Sequence, residues 1–205
     1  MYTFPKNLYT DVRIENVLFN QITYRNGELI QSINRNQKGA FIRVFDGQRW
    51  YYSSTTNIDN IQEEINSLAL MAKENEEILE NPIVKKFEVN KGEYMHFKDN
   101  NILNIKYEDK LGLLKSYFSI LESTKEIKMW NAIYLDRRIV KEFYSSKGAD
   151  IKFDYQTCSV ALRYNLNVDG KTLNGKFDKT STEFNELKGQ DENIKRILER
   201  DVDFV

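Results

Sequence analysis

Residues 38–54 read KGAFIRVFDGQRWYYSS, and their reading decides the fold. Ala40, Ile42 and Val44 alternate with Phe41, Arg43 and Phe45, the two-residue period of a strand whose faces meet different surroundings. Asp46-Gly47 breaks the alternation with residues suited to a tight turn, and Trp50-Tyr51-Tyr52 resumes it, so the stretch predicts a hairpin. Its opening Lys38-Gly39-Ala40 has a near copy 109 positions downstream, Lys147-Gly148-Ala149, which also leads into an alternating segment, DIKFDYQTCSVALRYNLNVDG (150–170). Glycine at such a point permits a backbone angle or a close approach that a side chain forbids. Gly39 and Gly148 are therefore expected at matching corners, beside the hairpin turns at Gly27 and Gly47.

Outward from this stretch the pattern stays β-rich and then changes period. DVRIENVLFNQITYR (11–25) carries β-branched and aromatic residues, Asn26-Gly27 is a two-residue hairpin signal, and GELIQSINRN (27–36) returns. Ile58, Ile61, Ile65, Leu68 and Ala72 then recur every three or four residues, one stripe of a helix that Asn57 can cap and that Pro82 stops. This helix should cover the sheet made by the first hairpins. A second helix is expected in EDKLGLLKSYFSILEST (108–124), with Leu111, Leu114, Phe118 and Leu121 on one side. Strands resume in KMWNAIYLDRRIVKEFYSS (128–146), with Asp136-Arg137 as the expected hairpin tip, and a terminal helix bears Ile194, Ile197 and Leu198. The prediction is an α+β fold, mostly antiparallel sheet built from two similar β-rich repeats, each backed by an amphipathic helix. Repeat one covers about 9–81, a connector about 82–107, repeat two about 108–178 and the terminal helix about 181–200.

Composition narrows the functional classes. The 30 basic and 31 acidic residues nearly cancel, which speaks against a dedicated nucleic-acid or polybasic membrane domain. No run approaches the roughly 18–20 apolar residues that cross a bilayer, and the N-terminus lacks the basic-then-apolar order of a secretory signal; a cytoplasmic protein is expected. One cysteine, Cys158, excludes an intramolecular disulfide framework. With one histidine, His96, no His/Cys zinc cluster can form, and any Ser-His or Cys-His site would have to use that residue, which lies in the loop-like KGEYMHFKDNN (91–101). No P-loop and no Gly-x-Gly-x-x-Gly is present. No catalytic residue, metal ligand or cofactor is therefore assigned in this chain.

The residues offered as contacts for a substrate or partner are Arg43, Arg49, Trp50 and Tyr52, concentrated on the second hairpin. An aromatic edge with arginines can take an extended peptide by strand addition, where main-chain pairing gives affinity with little sequence choice. The same set could stack single-stranded bases, against which the neutral charge counts, or simply fill one sheet face while the arginines solvate the other. On the contact reading, Trp50→Ala loses dimerisation or peptide binding and keeps its fold. The acid run AKENEEILE (72–80) reads as a solvated helix face, and Cys158 in YQTCSVAL as a buried thiol.

Several of these pieces, in this order, resemble a known family. YTDVRIE (9–15), ITYRNGELIQS (22–32), KGAFIRVFDGQRWYYSST (38–55) and a helix ending in LALMAK (68–73) resemble the N-terminal domain of the TldD/PmbA family. KYEDKLGLLKSY (106–117) resembles its Asp-Lys-initiated helix, and YSSKGADIKFDYQTCSVALRYNLNVDG (144–170) its second strand pair. The resemblance implies a two-domain metallopeptidase family, historically called modulators of DNA gyrase, linked to maturation of peptide antibiotics and degradation of small or unfolded proteins. It implies a His-Glu-x-x-x-His zinc motif in the C-terminal domain of active subunits, an inactive subunit type without it, and pairing as a homodimer or a heterodimer. That motif and that catalytic domain are absent from this sequence, whose abrupt ILERDVDFV ending (197–205) favours a sequence stopping before it over a free-standing relative. The expected role is a non-catalytic scaffold that assembles a dimer and walls a chamber for small or unfolded peptides, with zinc in the missing domain if the subunit is the active type. The alternative is a stand-alone peptide- or protein-binding module, without contact to nucleic acid or membrane.

Overall fold

The computed structural model describes residues 2–205. Its sheet contains β1 (Tyr9–Arg25), β2 (Glu28–Phe45), β3 (Trp50–Thr55), β4 (Lys91–Tyr94), β5 (Ile127–Ser145), β6 (Asp150–Val168) and β7 (Lys171–Ser181), hydrogen-bonded in the order β3-β2-β1-β5-β6-β4, with β7 also paired to β6. The helices are α1 (Ile61–Met71), α2 (Pro82–Lys85), α3 (Tyr107–Ser116), α4 (Phe118–Ser123) and α5 (Asp191–Phe204). The fold is α+β and mostly antiparallel; β4 against β6 is parallel. No helix among the described residues is long and apolar enough to cross a membrane.

One order of elements occurs twice: two long strands, a shorter third strand, a 3-10 turn and a helix, in β1-β2-β3-α1 and again in β5-β6-β7-α5. Matching bonds accompany it. Asn26 donates its main-chain N–H to the Trp130 carbonyl (3.0 Å), and its side-chain oxygen accepts from the Trp130 N–H (2.8 Å). Ser146 likewise donates to the Thr10 carbonyl (2.8 Å), and its hydroxyl oxygen accepts from the Thr10 N–H (2.9 Å). Each residue stands 120 positions from its counterpart, 10 to 130 and 26 to 146, so the two Lys-Gly-Ala copies at 109 do not correspond.

The two Lys-Gly-Ala stretches also differ in form. Gly148 has φ +98° in the turn between β5 and β6, as expected, and Gly27 (φ +85°, after Asn26 at φ +46°) and Gly47 (φ +100°) lie at hairpin turns. Gly39 does not: it lies inside β2 with no positive φ. A Cβ there would sit 3.4 Å from the Thr55 carbonyl, so this glycine marks a close strand-to-strand approach rather than a corner. Asp136-Arg137 is likewise no hairpin tip; both residues lie within β5.

The chain groups into two compact units, each drawn from three segments. Unit 1 takes the segment ending at Val17, Asn36–His96 and Ile139–Tyr155. Its larger core puts Ile61, Ile65 and Leu68 of α1 against Val12 and Ile14 of β1 and Ala40, Ile42 and Val44 of β2, as the two periods predict. A smaller cluster joins Tyr9, Phe45, Ile78 and Val84, with Trp50 and Phe87 packed on it. Lys147 in the β5–β6 turn donates to the carbonyls of Val84 (2.8 Å) and Phe87 (2.5 Å), satisfying main-chain oxygens at the end of α2.

Unit 2 takes Leu18–Arg35, Phe97–Arg138 and Gln156–Val205. Its core sets Leu113, Leu114 and Tyr117 around α3, Ile120 and Leu121 of α4, and Ile194 and Leu198 of α5 on strand residues such as Ala132, Tyr134, Val160 and Leu162. Gly175 in β7 lies opposite Tyr164, whose ring occupies the space a Cβ would need, 2.0 Å from Cε2. That ring is 3% exposed and held by its hydroxyl donating to Asp201 (2.8 Å), so it has nowhere cheap to go. Gly175→Ala is expected to lose about 1–3 kcal/mol of unfolding free energy in urea, the range for overpacking a filled site.

Candidate functional site

The hairpin β2–β3 is fixed by its turn. The Asp46 carboxylate accepts from the N–H groups of Gln48 (2.8 Å) and Arg49 (2.7 Å) and from the Tyr51 hydroxyl (3.1 Å). Burial alone would push the Asp46 carboxyl up, but these bonds outweigh it and hold the group below the usual carboxylate range. Asn75 and Asn81 donate to the carbonyls of Asp46 (3.4 Å) and Gly47 (3.2 Å), which ties the turn to the segment after α1.

On this base the four contact candidates separate into two roles. Arg43 forms a two-pronged pair with Asp11, Nε to Oδ1 at 3.0 Å and Nη2 to Oδ2 at 2.6 Å, and Asp11 is fully buried. The hydrogen bond to that carboxylate raises the guanidinium pKa, and the guanidinium stacks 4.5 Å from the Trp50 ring centre. Trp50 itself stacks on Phe45 (4.6 Å) and meets Tyr9 (6.0 Å) and Phe87 (6.3 Å) edge-on. These two side chains are engaged within unit 1, Arg43 by Asp11 and Trp50 by the smaller apolar cluster.

Tyr52 and Arg49 face outward. Tyr52 is 67% exposed and pairs with Phe41 (6.1 Å), itself 37% exposed, and Arg49 is exposed on the turn. Below them β3 is the first strand in the sheet order, with its register to β2 running from Ala40–Thr55 to Phe45–Trp50. Among the described residues no strand pairs with its other edge. The surface therefore offers unpaired main-chain groups beside an exposed aromatic pair, the two components of peptide capture by strand addition.

The remaining candidates carry no chemistry of this kind. His96 is exposed. Cys158 is 1% exposed, and burial, reinforced by the Asp136 charge, pushes its thiol up to about 12. It is expected to stay unlabelled by a disulfide reagent at pH 8 and to react only when denaturant opens unit 2. Zinc, which the family resemblance implies for another domain, finds no donor set: among the described residues no three His, Cys, Asp or Glu side chains stand together as possible ligands.

The sequence reading missed a buried ion pair in unit 2, Lys110 Nζ to Asp136 Oδ2 at 2.5 Å. Asp136 is fully buried and accepts as well from the Tyr134 hydroxyl (2.9 Å) and the Asn20 amide (2.7 Å). The signal was present. Lys110 precedes Leu114 and Tyr117 by four and seven residues on the buried stripe, and Asp136 continues the buried alternation Trp130, Ala132, Tyr134.

Comparison with known proteins bears on the fold. Residues 10–76 match the family model for PmbA/TldA metallopeptidase domain 1. The fold is shared with a modulator-of-DNA-gyrase protein of Thermotoga maritima (TM-score 0.73, 15% identity, 95% of this chain and 44% of that one). It is shared also with a modulator-of-DNA-gyrase protein of Bacteroides thetaiotaomicron (0.69, 14%, 93% and 45%) and with TldE of Thermococcus kodakarensis (0.63, 13%, 95% and 43%). The chain thus spans less than half the length of each of these structures. A search of curated proteins gives no match. Together the matched segment and the shared fold support the resemblance to the N-terminal domain of the TldD/PmbA family.

Proposed function

We propose that this chain serves as a non-catalytic, peptide-facing scaffold, the role of an N-terminal domain in a TldD/PmbA-type metallopeptidase. In that role it pairs with a second copy or a related subunit in the cytoplasm and walls a chamber that receives small or unfolded peptides. Hydrolysis and zinc belong to a separate domain of the active subunit type. The observation that carries the reading is the open edge of β3 flanked by Tyr52 and Phe41, since an unpaired strand edge recognises extended backbone whatever its sequence.

The test is a titration of the chain with an acetylated, amidated octapeptide of alternating threonine and valine, followed by amide NMR shifts. Shifts are expected at Trp50–Thr55, and Tyr52→Ala should weaken binding by about fivefold while leaving the unfolding midpoint unchanged, because the ring is mostly solvent-exposed. Undiminished binding by that variant, or no shifts along β3, would remove this surface from the account.

A further inference from the structure

Unit 2 carries a second open edge, on β2. That strand pairs with β3 only over Ala40–Phe45, so along Glu28–Arg35 its outer side has no strand partner among the described residues. The equivalent strand β6 is covered on its outer side by β4 over Asp150–Phe153 and by β7 over Cys158–Val168. Open edges are commonly blunted by lysine, proline or a bulge. Glu28–Arg35 reads ELIQSINR, with no lysine, proline or glycine, and Leu29 and Ile30 are each 48% exposed.

The same strand lines a cavity of about 360 Å³. Ser32 and Asn34 border it from β2, Asn20 and Ile22 from β1, and Ile105 and Lys110 from the segment around the start of α3. Lys110 is 5% exposed; its ammonium spends one N–H on Asp136 and stands 5.6 Å from the centre of the Tyr134 ring, which can take a second only weakly. Asp136 already accepts from three donors, so it has little left to offer the other two N–H groups of Lys110. A nearly buried ammonium on a residue that lines a cavity, with at least one N–H not taken by Asp136 or the Tyr134 ring, calls for an acceptor.

Charge decides which acceptor. Lys110 and Asp136 cancel, and no other charged side chain lines the cavity, so a ligand carboxylate would leave a net buried charge and a ligand ammonium would face Lys110. A neutral carbonyl satisfies the donors and preserves the balance. We propose that the Glu28–Arg35 edge and this cavity form a docking site for an extended peptide segment bearing a glutamine-type carboxamide. The segment's main chain pairs with β2. Its methylenes lie against Ile22 and Ile105, its carbonyl accepts from Lys110, and its amide N–H groups reach Ser32 or Asn34. The site does not depend on the β3 surface, since each lies in a different unit and is read by different amide shifts.

The experiment titrates the chain with acetyl-Thr-Val-Gln-Val-Thr-amide and with the same peptide carrying leucine or glutamate at the centre. The glutamine peptide should shift the Glu28–Arg35 amides and bind about tenfold more tightly than either relative, the range for a hydrogen bond to a charged donor. N-methylation of its alternate amides should abolish the edge shifts. Asn34→Trp, which fills the cavity from an exposed strand position, should remove the glutamine preference and leave the ion pair intact. Lys110→Met should do the same; if it does not fold, Lys110→Met with Asp136→Asn, which leaves no buried charge, replaces it. Equal binding of the three peptides, tightest binding of the glutamate peptide, or a glutamine preference that survives both Asn34→Trp and loss of the ammonium would each overturn the proposal.

Discussion

Asp136→Ala is expected to lower the unfolding free energy by about 3–5 kcal/mol, the cost of breaking a buried pair from one side. The substitution strands the Lys110 ammonium in the core of unit 2 and takes the acceptor from the Tyr134 hydroxyl and the Asn20 amide. For a chain of this length that corresponds to roughly 10 °C or more in the melting temperature. The diagnostic feature is rescue. Asp136→Leu combined with Lys110→Met should recover most of the loss, because apolar groups of similar size restore packing and leave no charge behind. Urea unfolding of the single and double variants checks this; a single-variant loss below about 1 kcal/mol would mean that water or another group satisfies the lysine.

Trp50→Ala comes next, at about 3 kcal/mol by the same measurement, toward the lower end for truncating a large aromatic because the ring is only partly buried. The ring joins Phe45, Tyr9 and Phe87 and also covers the guanidinium of Arg43, so its removal opens a void and exposes the Asp11–Arg43 pair to water. A binding defect in Trp50→Ala therefore would not report on the docking surface. Tyr52, two residues on along the same face but 67% exposed and outside that aromatic cluster, separates the two effects. A Trp50→Ala protein of wild-type stability would show that the cluster repacks and would return Trp50 to the list of surface contacts.

Local signals in the sequence carried much of the fold. Asn26-Gly27 and Asp46-Gly47 named their hairpins because both turns need backbone angles that few other residues supply. The stripe Ile61, Ile65, Leu68 named α1 because its neighbours in space are also three and four apart in sequence. What stayed hidden was whatever hung on one particular distant side chain or carbonyl. Asp136 reads as a turn residue until Lys110, 26 positions earlier, is seen to neutralise it inside β5. Arg43 reads as a free contact until Asp11, 32 positions earlier, is seen to hold both its prongs. Gly39 reads as a corner until the Thr55 carbonyl is seen against it. Polar residues in phase with a buried pattern, as Lys110 and Asp136 are, were the one available clue.

The scaffold reading is tested most directly by incubating the purified chain with a reduced, unfolded protein, with and without zinc, and analysing the mixture by mass spectrometry. The account predicts an intact substrate in both samples. Fragments that appear only with zinc would mean that this chain holds a catalytic metal after all, and would contradict it.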